Sequence, residues 1–307
     1  MAFCYHIERE NYHGKEYSDL QGMARYSNGR ANRFDHSDRP QCIPRKAKCG
    51  ARVALAPAVG ASLQGDRYSR EGRKVRVSTA LETIGGLSNP SKMPCYGHST
   101  PSPACPIGSL LARVEGSVCF ECYADPNAGG TYAYPVVKAA LARRLDIIRK
   151  CEFDPIAREE WISAFAFILN YRRDRWTPES SIDHRYFRWH DSGDLQGLYH
   201  LGMISEVASR TFGRVEHWLP TRELPTVNRF VRAFGMPPSN LIIRISANKV
   251  DAPLPRVKGF TASGVHTVKG RPSSGALECP AIYNEGSCGD CRNCWDPSIQ
   301  EVSYLKH

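Results

Sequence analysis

The segment His190–Gln196 (HDSGDLQ) directly follows the aromatic run YFRW and contains one imidazole, two carboxylates and a glycine. Asp191 and Asp194 are candidate catalytic residues, since two carboxyl groups can act as nucleophile and general acid. Asp and Ser are also common at helix N-termini, and Gly permits a tight turn, so a structural cap is the alternative. The adjacent His190 and the charged end of the next predicted strand favour the catalytic interpretation.

A second polar segment, VEHWLPTRE, contains Glu216. We expect Asp191 and Glu216 to end neighbouring strands, which lie about 5 Å apart in a sheet, so that their carboxyl groups face one another. Glu216 therefore joins the candidate catalytic residues. For the PTRE part, a helix that starts at a proline is the structural alternative. The candidate residues for binding a base edge or a phosphate are His190, Ser192, Gly193, Gln196, His217 and Arg222.

The C-terminal stretch CPAIYNEGSCGDCRNCWD predicts a metal site. Cys288, Cys291 and Cys294 are separated by two residues each, and Cys279 lies upstream. Thiolates on a glycine-containing loop can converge on one ion in a tetrahedral shell, for which zinc is the default metal. An iron–sulfur cluster is also compatible with four thiolates. The fourth ligand is either Cys279, which we favour, or His307.

A second set of cysteines lies in the Pro/Gly-rich loop at residues 89–130: Cys95, Cys105, Cys119 and Cys122. The CxxC pair of Cys119 and Cys122 indicates a second zinc ion or an iron–sulfur cluster, whereas reduced structural cysteines are the alternative. If only three of these cysteines bind, a [4Fe–4S] cluster keeps one iron open for a substrate or S-adenosylmethionine. The spacing loosely resembles a variant of the radical-SAM signature.

Composition and charge restrict the class of protein. The chain of 307 residues has 12 cysteines and an N-terminus without an apolar signal region, so we expect a cytoplasmic protein whose cysteines bind metal and do not form a disulfide scaffold. No run of about 20 apolar residues indicates a membrane span. The formal net charge of +10 favours a polyanionic partner, DNA or RNA, because basic side chains release counterions from phosphates.

The sequence pattern divides the chain into three predicted parts. Residues 1–72 form a basic, irregular extension, residues 73–278 a catalytic domain that includes the Cys-rich loop, and residues 279–307 a metal-binding segment. The predicted strands are RKVRVSTA from Arg73, RYFRWH, VEHWL and LIIRIS. The predicted helices are Tyr134–Cys151, Pro155–Arg173, Gly197–Arg210 and Glu223–Phe234.

The alternation of strands and helices in the second half of the chain predicts an α/β fold. The strand starts are about 25 to 30 residues apart, the length of a βα unit. Each of these strands ends in polar residues, which meet at one rim in a parallel (β/α) barrel, where catalytic residues gather. We therefore predict a TIM-like (β/α) barrel, complete or irregular, with Cys-rich metal-binding loops. An open doubly wound sheet is the alternative.

Three segments in the same order resemble the tRNA-guanine transglycosylases: DSGDLQ, LPTR and the terminal SYLKH after the cysteine loop. Similar segments in phages point to the branch of this family that is proposed to act on DNA in the infected host cell. The resemblance covers residues 185–307. It implies a zinc site and a nucleophile at Glu216, where the family has aspartate, and Asp194 stands where the family has glycine.

The resemblance implies exchange of guanine in DNA for a 7-deazaguanine base. A carboxylate would attack the anomeric carbon, guanine would leave with a proton from an acid, and the incoming base would displace the carboxylate with overall retention. The target nucleotide would be flipped out of a duplex. The sequence leaves two alternatives open: an iron–sulfur enzyme that acts on nucleic acid through the cysteines of the 89–130 loop, and a non-catalytic, metal-stabilised nucleic-acid-binding protein.

Overall fold

The computed structural model describes residues 76–272 and 275–306, which belong to one compact unit. The basic extension predicted for residues 1–72 and the alternative ligand His307 lie outside the described residues. The described helices include none that is both long enough and apolar enough to cross a membrane.

Seven parallel strands form one open sheet in the order β1-β2-β3-β4-β5-β7-β6. The strands are β1 (Gly97–His98), β2 (Tyr186–Trp189), β3 (Glu216–Thr221), β4 (Leu241–Ser246), β5 (Thr261–His266), β6 (Leu277–Glu278) and β7 (Glu301–Leu305). Every neighbouring pair is parallel. The predicted α/β class is confirmed, and so are the strands predicted from RYFRWH, VEHWL and LIIRIS.

The first five strands lie side by side in chain order, so the sheet winds in one direction without the reversal of a doubly wound sheet. Right-handed crossovers then place the connecting helices on one face, as in (β/α) barrels. The described strands do not close into a barrel, because β1 and β6 are the two edges of the sheet. The carboxyl ends of the parallel strands still share one rim, and the loops that leave β1, β2 and β3 meet there.

Six α-helices are described: α1 (Val77–Ile84), α2 (Pro106–Leu111), α3 (Pro135–Phe153), α4 (Pro155–Asp174), α5 (Leu198–Arg210) and α6 (Leu224–Phe234). The four predicted helices correspond to α3, α4, α5 and α6. Proline occupies the first turn of α3, α4 and α6, where its missing N–H has no helical partner to lose. Asp154 additionally caps α4 by accepting from the N–H groups of Ile156 and Ala157, both at 3.0 Å.

The strand predicted from RKVRVSTA is wrong over its described part, which begins helix α1. The β-branched residues Val77 and Thr79 suggested a strand, but Ala80 and Ile84 are spaced by one helical turn and both are buried. Gly85 then ends the helix in the left-handed conformation, with φ of 77°. Packing of one apolar helix face has therefore overridden the local strand preference.

The main hydrophobic core lies between the helices and one face of the sheet, where Phe187 and Trp189 of β2 and Ile243 and Ile245 of β4 are buried. The other face of the sheet carries a smaller buried cluster that includes Trp218. The side chains of β2 alternate between the two faces. The smaller cluster is covered by the C-terminal cysteine segment and consists of Cys95, Trp218, Cys294 and Trp295, with Met93, Tyr186 and Tyr304 packed against it.

Candidate functional site at the carboxyl rim

The HDSGDLQ loop follows β2 and binds the loop that leaves β1. Ser192 and Thr100 form two hydrogen bonds: the Ser192 hydroxyl donates to the Thr100 carbonyl at 2.8 Å, and the Thr100 N–H donates to the Ser192 carbonyl at 3.0 Å. The Asp191 N–H donates to the Ser99 hydroxyl at 3.2 Å. Gln196 Nε2 donates to the Ala104 carbonyl at 3.2 Å. These contacts hold the part of the Cys-rich loop that directly follows β1. Ser192 and Gln196 therefore have structural roles.

Gly193 is required by the close packing of these two loops. Its φ is +84°, in the left-handed region, and a Cβ added there would lie 2.0 Å from Thr100 Oγ1 and 2.6 Å from the Thr100 carbonyl oxygen. No side chain fits into that space, since carbon atoms pack at about 3.5 Å or more. The predicted substrate-binding residues Ser192 and Gly193 are thus placed where they connect two loops.

Asp194 connects the same loop to the end of β3. Its carboxylate accepts hydrogen bonds from Thr221 Oγ1 at 2.6 Å, the Arg222 N–H at 2.9 Å and the Leu195 N–H at 2.8 Å. The side chain is buried, and burial raises the pKa of the carboxyl group, while the hydrogen bonds oppose this shift. Asp194 therefore braces the rim, and both of its oxygens are already used.

The carboxylate of Asp191 accepts fewer hydrogen bonds than that of Asp194. Tyr132 Oη donates to Asp191 Oδ2 at 2.9 Å, and Tyr123 Oη donates to the Asp191 carbonyl oxygen. Asp191 Oδ1 is buried and has no hydrogen-bond partner among the residues that the structure describes. A buried acceptor of this kind is costly unless a further group binds to it. Within the HDSGDLQ loop, Asp191 is accordingly the carboxylate with a site for a ligand.

The expectation that Asp191 and Glu216 face one another is wrong. Glu216 is the first residue of β3 and pairs in register with Tyr186, the first residue of β2. Asp191 follows the other end of β2, so the length of a strand separates the two carboxyl groups. The alignment that placed the nucleophile at Glu216 puts it at the amino end of the sheet, away from the rim.

Two histidines predicted to bind substrate lie inside the core. Trp189 Nε1 donates to His217 Nδ1 at 3.1 Å, and His217 Nε2 is paired with Thr211 Oγ1 at 2.8 Å. His190 has a φ of 63° and pairs through Nδ1 with the His98 carbonyl at 3.2 Å. Burial lowers the pKa of His217 to about 3 and that of His190 to about 4, so both rings are neutral at pH 7. Neither ring is exposed to a substrate.

Glu223 is a rim carboxyl group that the sequence analysis did not select. It is 4% exposed, and its Oε1 accepts a hydrogen bond from the Ile107 N–H at 2.7 Å. Burial, reinforced by the nearby charge of Asp194, raises the pKa of Glu223 to about 7 despite that hydrogen bond. It is therefore a candidate general acid near neutral pH. A carboxyl group directly after a predicted strand was the available signal, but PTRE also fits an ordinary helix start.

The thiols of Cys105, Cys119 and Cys122 lie together at the rim and are called the rim thiol set below. A Cβ added at Gly108 would lie 3.5 Å from Cys105 Sγ and 3.6 Å from Cys119 Sγ, so these two thiols flank the same space. Burial raises the pKa of both thiols, and the positive charge of Arg222 opposes this shift. The charge of Cys122 acts on both as well.

The grouping of Cys95 differs from the prediction. Cys95 precedes β1, whereas the rim thiols follow β1. Cys288 of the C-terminal segment is one of the groups whose charge acts on Cys95. The C-terminal thiol set consists of Cys279, Cys288, Cys291 and Cys294, which influence one another's ionisation. The chain thus has a set of three thiols at the rim and a set of four on the sheet face opposite the helices, with Cys95 beside the latter.

In neither set do the thiols converge on one position that a metal ion could occupy. In the ranges 76–272 and 275–306, no group of three or more His, Cys, Asp or Glu side chains is arranged to hold a metal ion. The chemistry of the donors nevertheless fits thiophilic metals, because clustered cysteines are the usual ligands of zinc and of iron–sulfur clusters. The zinc and iron–sulfur interpretations stay predictions.

A buried Ser–His–Glu series has the connectivity of a catalytic triad but is not exposed to a substrate. His266 pairs through Nδ1 with Ser303 Oγ at 2.7 Å and through Nε2 with Glu278 Oε1 at 2.8 Å. Ser303 lies in the middle of β7 and is fully buried. The three side chains connect β5, β7 and β6 and therefore stabilise that edge of the sheet.

One comparison with known proteins gives a match. The family described as GP88, gene product 88, matches residues 63–297. No curated protein and no solved structure matches the chain. The match begins N-terminal to the predicted domain boundary at residue 73, and it includes both thiol sets and the whole rim.

Proposed function

The chain belongs to the gene product 88 family, whose description states no activity, and we propose from its rim that it is an iron–sulfur enzyme that acts on nucleic acid. The rim thiol set carries this proposal. Cys105 and Cys119, on the loop after the edge strand β1, flank a space that even a single Cβ at Gly108 would fill, and Cys122 lies close enough for its charge to act on both thiols. Their position at the carboxyl rim of a parallel sheet is where catalytic groups collect in (β/α) folds.

The rim thiol set is the ligand set we assign to the cluster. An iron–sulfur cluster bound there would supply one-electron chemistry and, with three protein ligands, an iron open to a substrate or cofactor. Arg222 places a positive charge beside the thiols and favours their ionised form. Glu223 fixes the loop between Cys105 and Cys119 through the Ile107 N–H.

Two further features support a nucleic-acid substrate. The formal net charge of +10 attracts a polyanion. Asp191, held by Tyr132 and with Oδ1 lacking a partner among the described side chains, can accept a hydrogen bond from a base edge or a sugar hydroxyl. We assign substrate binding at the rim to Asp191, and structural roles to Ser192, Gly193 and Asp194.

Metal analysis of protein purified without oxygen tests this proposal. We expect iron and acid-labile sulfide together with a visible absorption band in the wild-type protein. Cys119→Ser should lose most of the iron, since one of three ligands is removed. Cys151→Ser is the matched control, because Cys151 is also buried but lies in α3, away from both thiol sets. Colourless wild-type protein without iron would refute the proposal.

A second candidate function, exchange of guanine for a 7-deazaguanine base in DNA, is favoured by two rim carboxyl groups, Glu223 with its raised pKa and Asp191 with an Oδ1 that has no partner among the described residues. Asp191 would attack the anomeric carbon, and guanine would leave with the proton of Glu223, which burial keeps protonated up to about pH 7. The incoming base would return a proton to Glu223 and displace Asp191, with overall retention. In this candidate the metal is a zinc ion at the C-terminal thiol set.

An exchange assay with labelled guanine in DNA separates the two candidates. If the second candidate is correct, Asp191→Asn should abolish exchange while DNA binding persists, and Cys119→Ser should remain active. If the first is correct, wild-type protein should show no exchange, and turnover should depend on iron. Normal DNA binding by both variants, without turnover by the wild type, would instead support a non-catalytic binding protein.

A further inference from the structure

Arginines outnumber their carboxylate partners at the amino end of the sheet, on the segments that precede β2 and β3. Asp183 is buried and pairs with two of them, Arg185 at 2.9 Å and Arg292 of the C-terminal cysteine segment at 3.3 Å. Asp174 pairs with Arg214. Among the residues that the structure describes, no carboxylate pairs with the arginines at the end of α4 and directly after it, which are Arg172, Arg173 and Arg175.

Aromatic rings hold several of these guanidinium groups in one continuous layer. Arg173 and Arg185 both lie over the Trp176 ring, with their guanidinium carbons 5.4 Å and 4.1 Å from its centre. Arg185 and Arg292 both lie over the Tyr186 ring, at 5.6 Å and 5.4 Å. These distances are within the roughly 6 Å at which a cation is attracted to a ring face. The layer therefore connects the end of α4, the start of β2 and the C-terminal cysteine segment.

Two further rings extend this layer along α4. Arg175 lies over the Tyr171 ring, 3.6 Å from its centre, and Arg172 lies over the Tyr96 ring at 4.5 Å. Tyr96 stacks in turn on His184, with ring centres 5.6 Å apart and 9° between the planes. Arg172 Nε is buried and has no acceptor in the ranges 76–272 and 275–306. Stacking on a ring orients a guanidinium group without occupying its N–H groups, which can then donate to an anion.

We infer that this layer binds the phosphate backbone of a nucleic acid. It is called the amino-end arginine surface below and consists of Arg172, Arg173, Arg175, Trp176, Arg185 and Arg292. The planar guanidinium fork matches the oxygen atoms of a phosphate, and an arginine that is already oriented loses less freedom on binding. Arginines cover the rings of Trp176 and Tyr186, so these rings do not stack on bases. Contacts to phosphates alone position a nucleic acid without reading its sequence.

Two observations favour a nucleic acid over an anionic membrane as the partner of this surface. Residues 171–186 expose no large apolar side chain, whereas a surface that binds a membrane also inserts apolar side chains between the lipids. Arginines remain in excess on these segments even when Glu179 and Glu216 are counted. Phosphates repeat at short intervals along a nucleic acid, so several arginines of one continuous layer can each contact one.

The inference rests on the nucleic-acid substrate of the proposed function and adds a second contact to it. The amino-end arginine surface lies before β2, and the rim lies after it. β2 has 4 residues, which span ~13 Å, about the length of four base pairs. One nucleic acid that runs along this part of the molecule would be held by its backbone while the target nucleotide reaches Asp191.

The test is DNA binding by the full-length protein, measured by fluorescence anisotropy with a short labelled duplex across a salt series. Arg173→Gln/Arg175→Gln removes two stacked guanidinium groups that pair with no described carboxylate. We expect about tenfold weaker binding and a salt slope that is shallower by about 1 to 2, because fewer phosphates are neutralised. Two duplexes of different sequence should show the same loss.

Arg149→Gln/Lys150→Gln is the matched control for charge. It removes the same charge from exposed positions in the last turn of α3. These positions lie at the start of α4, and the arginine surface lies at its other end, 20 residues further along the chain and ~30 Å away. This variant should bind DNA with nearly the affinity and salt slope of wild type.

Trp176→Leu tests the ring layer separately from charge. It removes the ring that both Arg173 and Arg185 contact and leaves the net charge of the chain unchanged. We expect the affinity for DNA to fall about threefold to tenfold, since two cation–π contacts no longer orient the arginines. Circular dichroism identifies variants that do not fold. If Trp176→Leu does not fold, Arg173→Gln/Arg175→Gln decides, because it changes no buried side chain.

Equal DNA affinities of Arg173→Gln/Arg175→Gln and its control would refute the inference alone, and wild-type affinity in folded Trp176→Leu would refute the stacked layer. Vesicle binding that depends on these arginines, with phosphatidylserine as the anionic lipid and with DNA binding unchanged, would assign the surface to a membrane and overturn the inference. If the wild type binds no DNA, the nucleic-acid substrate of the proposed function fails as well. Iron and sulfide at the rim should be the same in all these variants, so their absence bears on the proposed function alone.

Discussion

At the scale of single residues, the protonation of Glu223 should make the stability of the protein depend on pH. Burial raises its pKa to about 7 from an ordinary value of 4.5, so between these values the folded chain binds a proton that the unfolded chain has released. Stability should therefore fall as the pH rises through this window. Glu223→Gln keeps the acceptor for the Ile107 N–H but cannot ionise. At pH 8 we expect the variant to unfold at a higher urea concentration than wild type, with a free energy of unfolding about 1–3 kcal/mol larger. Near pH 4.5 the two free energies of unfolding should be the same. An equal difference at both pH values would contradict the protonated state.

Gly193 gives a second prediction at this scale. Alanine there combines a φ of +84° with a Cβ placed 2.0 Å from Thr100 Oγ1, and one of the two loops has to move. We expect Gly193→Ala to destabilise the protein by about 2–4 kcal/mol in urea unfolding. Gly202→Ala is the control, because Gly202 lies within helix α5 and its added Cβ meets nothing within 4 Å. That variant should be about 0.5–1 kcal/mol more stable than wild type. Similar effects of the two alanines would contradict this account.

The residues that sequence reasoning misplaced share one physical cause. The predicted strand VEHWL already contains Glu216 near its start, so the expectation that Glu216 ends its strand beside Asp191 did not follow from the strand pattern. The start of β3 depends on its register with β2, which is a contact between distant parts of the chain. Cys95 was misgrouped in the same way, because sequence distance joined it to Cys105 while the fold places it beside Cys288.

At the scale of elements, the HDSGDLQ loop is a connector between two neighbouring loops of the rim. Asp194→Asn replaces one of the two carboxylate oxygens with an NH₂ group, which cannot accept a hydrogen bond. At least one of the hydrogen bonds from Thr221, Arg222 and Leu195 is therefore lost. We expect a loss of about 1–3 kcal/mol in stability. Because the Cys-rich loop rests on the same connector, this variant should also lose part of any iron at the rim.

Asp191→Asn is the matched comparison for the connector. Its carboxylate has one described side-chain partner, Tyr132, and it does not connect the loop to β3. Urea unfolding of the two variants should therefore show a clearly larger loss for Asp194→Asn. An Asp191→Asn variant that is equally destabilised would indicate that Asp191 also has a structural role, and its effect on activity could then not be assigned to substrate binding.

The elements that were predictable are the ones with their own periodicity. Helices α3 to α6 have apolar residues at helical spacing, and α3, α4 and α6 also have proline in the first turn, and these local features are sufficient. Strands β1 and β6 have two residues each, too few for any alternating pattern. They exist because β2 and β7 present free edges to pair with. Sheet order and the open edges followed from these pairings and were beyond prediction.

At the scale of the whole molecule, the two thiol sets lie in different surroundings, one at the carboxyl rim of the sheet and the other on a sheet face. The rim set shares its space with Arg222, Asp194 and Glu223, on the loop that leaves β1 and contains helix α2. The C-terminal set covers a buried cluster and is adjacent to the segments that precede β1 and β2. In parallel folds the carboxyl rim carries chemistry and the opposite end carries stability. If both proposed metal sites exist, the rim set would serve chemistry and the C-terminal set would stabilise the sheet face that it covers.

The charge of the whole chain makes a final prediction about its partner. The family match begins at residue 63, whereas the basic stretch Arg25–Arg52 lies before it. Basic side chains that neutralise phosphates make the affinity for DNA fall with salt, with a slope set by the number of phosphates contacted. We therefore expect a chain that starts at Leu63 to bind duplex DNA more weakly than the full chain and with a shallower salt slope, measured by fluorescence anisotropy across a salt series. Its thermal unfolding midpoint should be unchanged, which separates a loss of contacts from a loss of fold. An identical salt slope for both chains would place the nucleic-acid contacts entirely on residues 63–307.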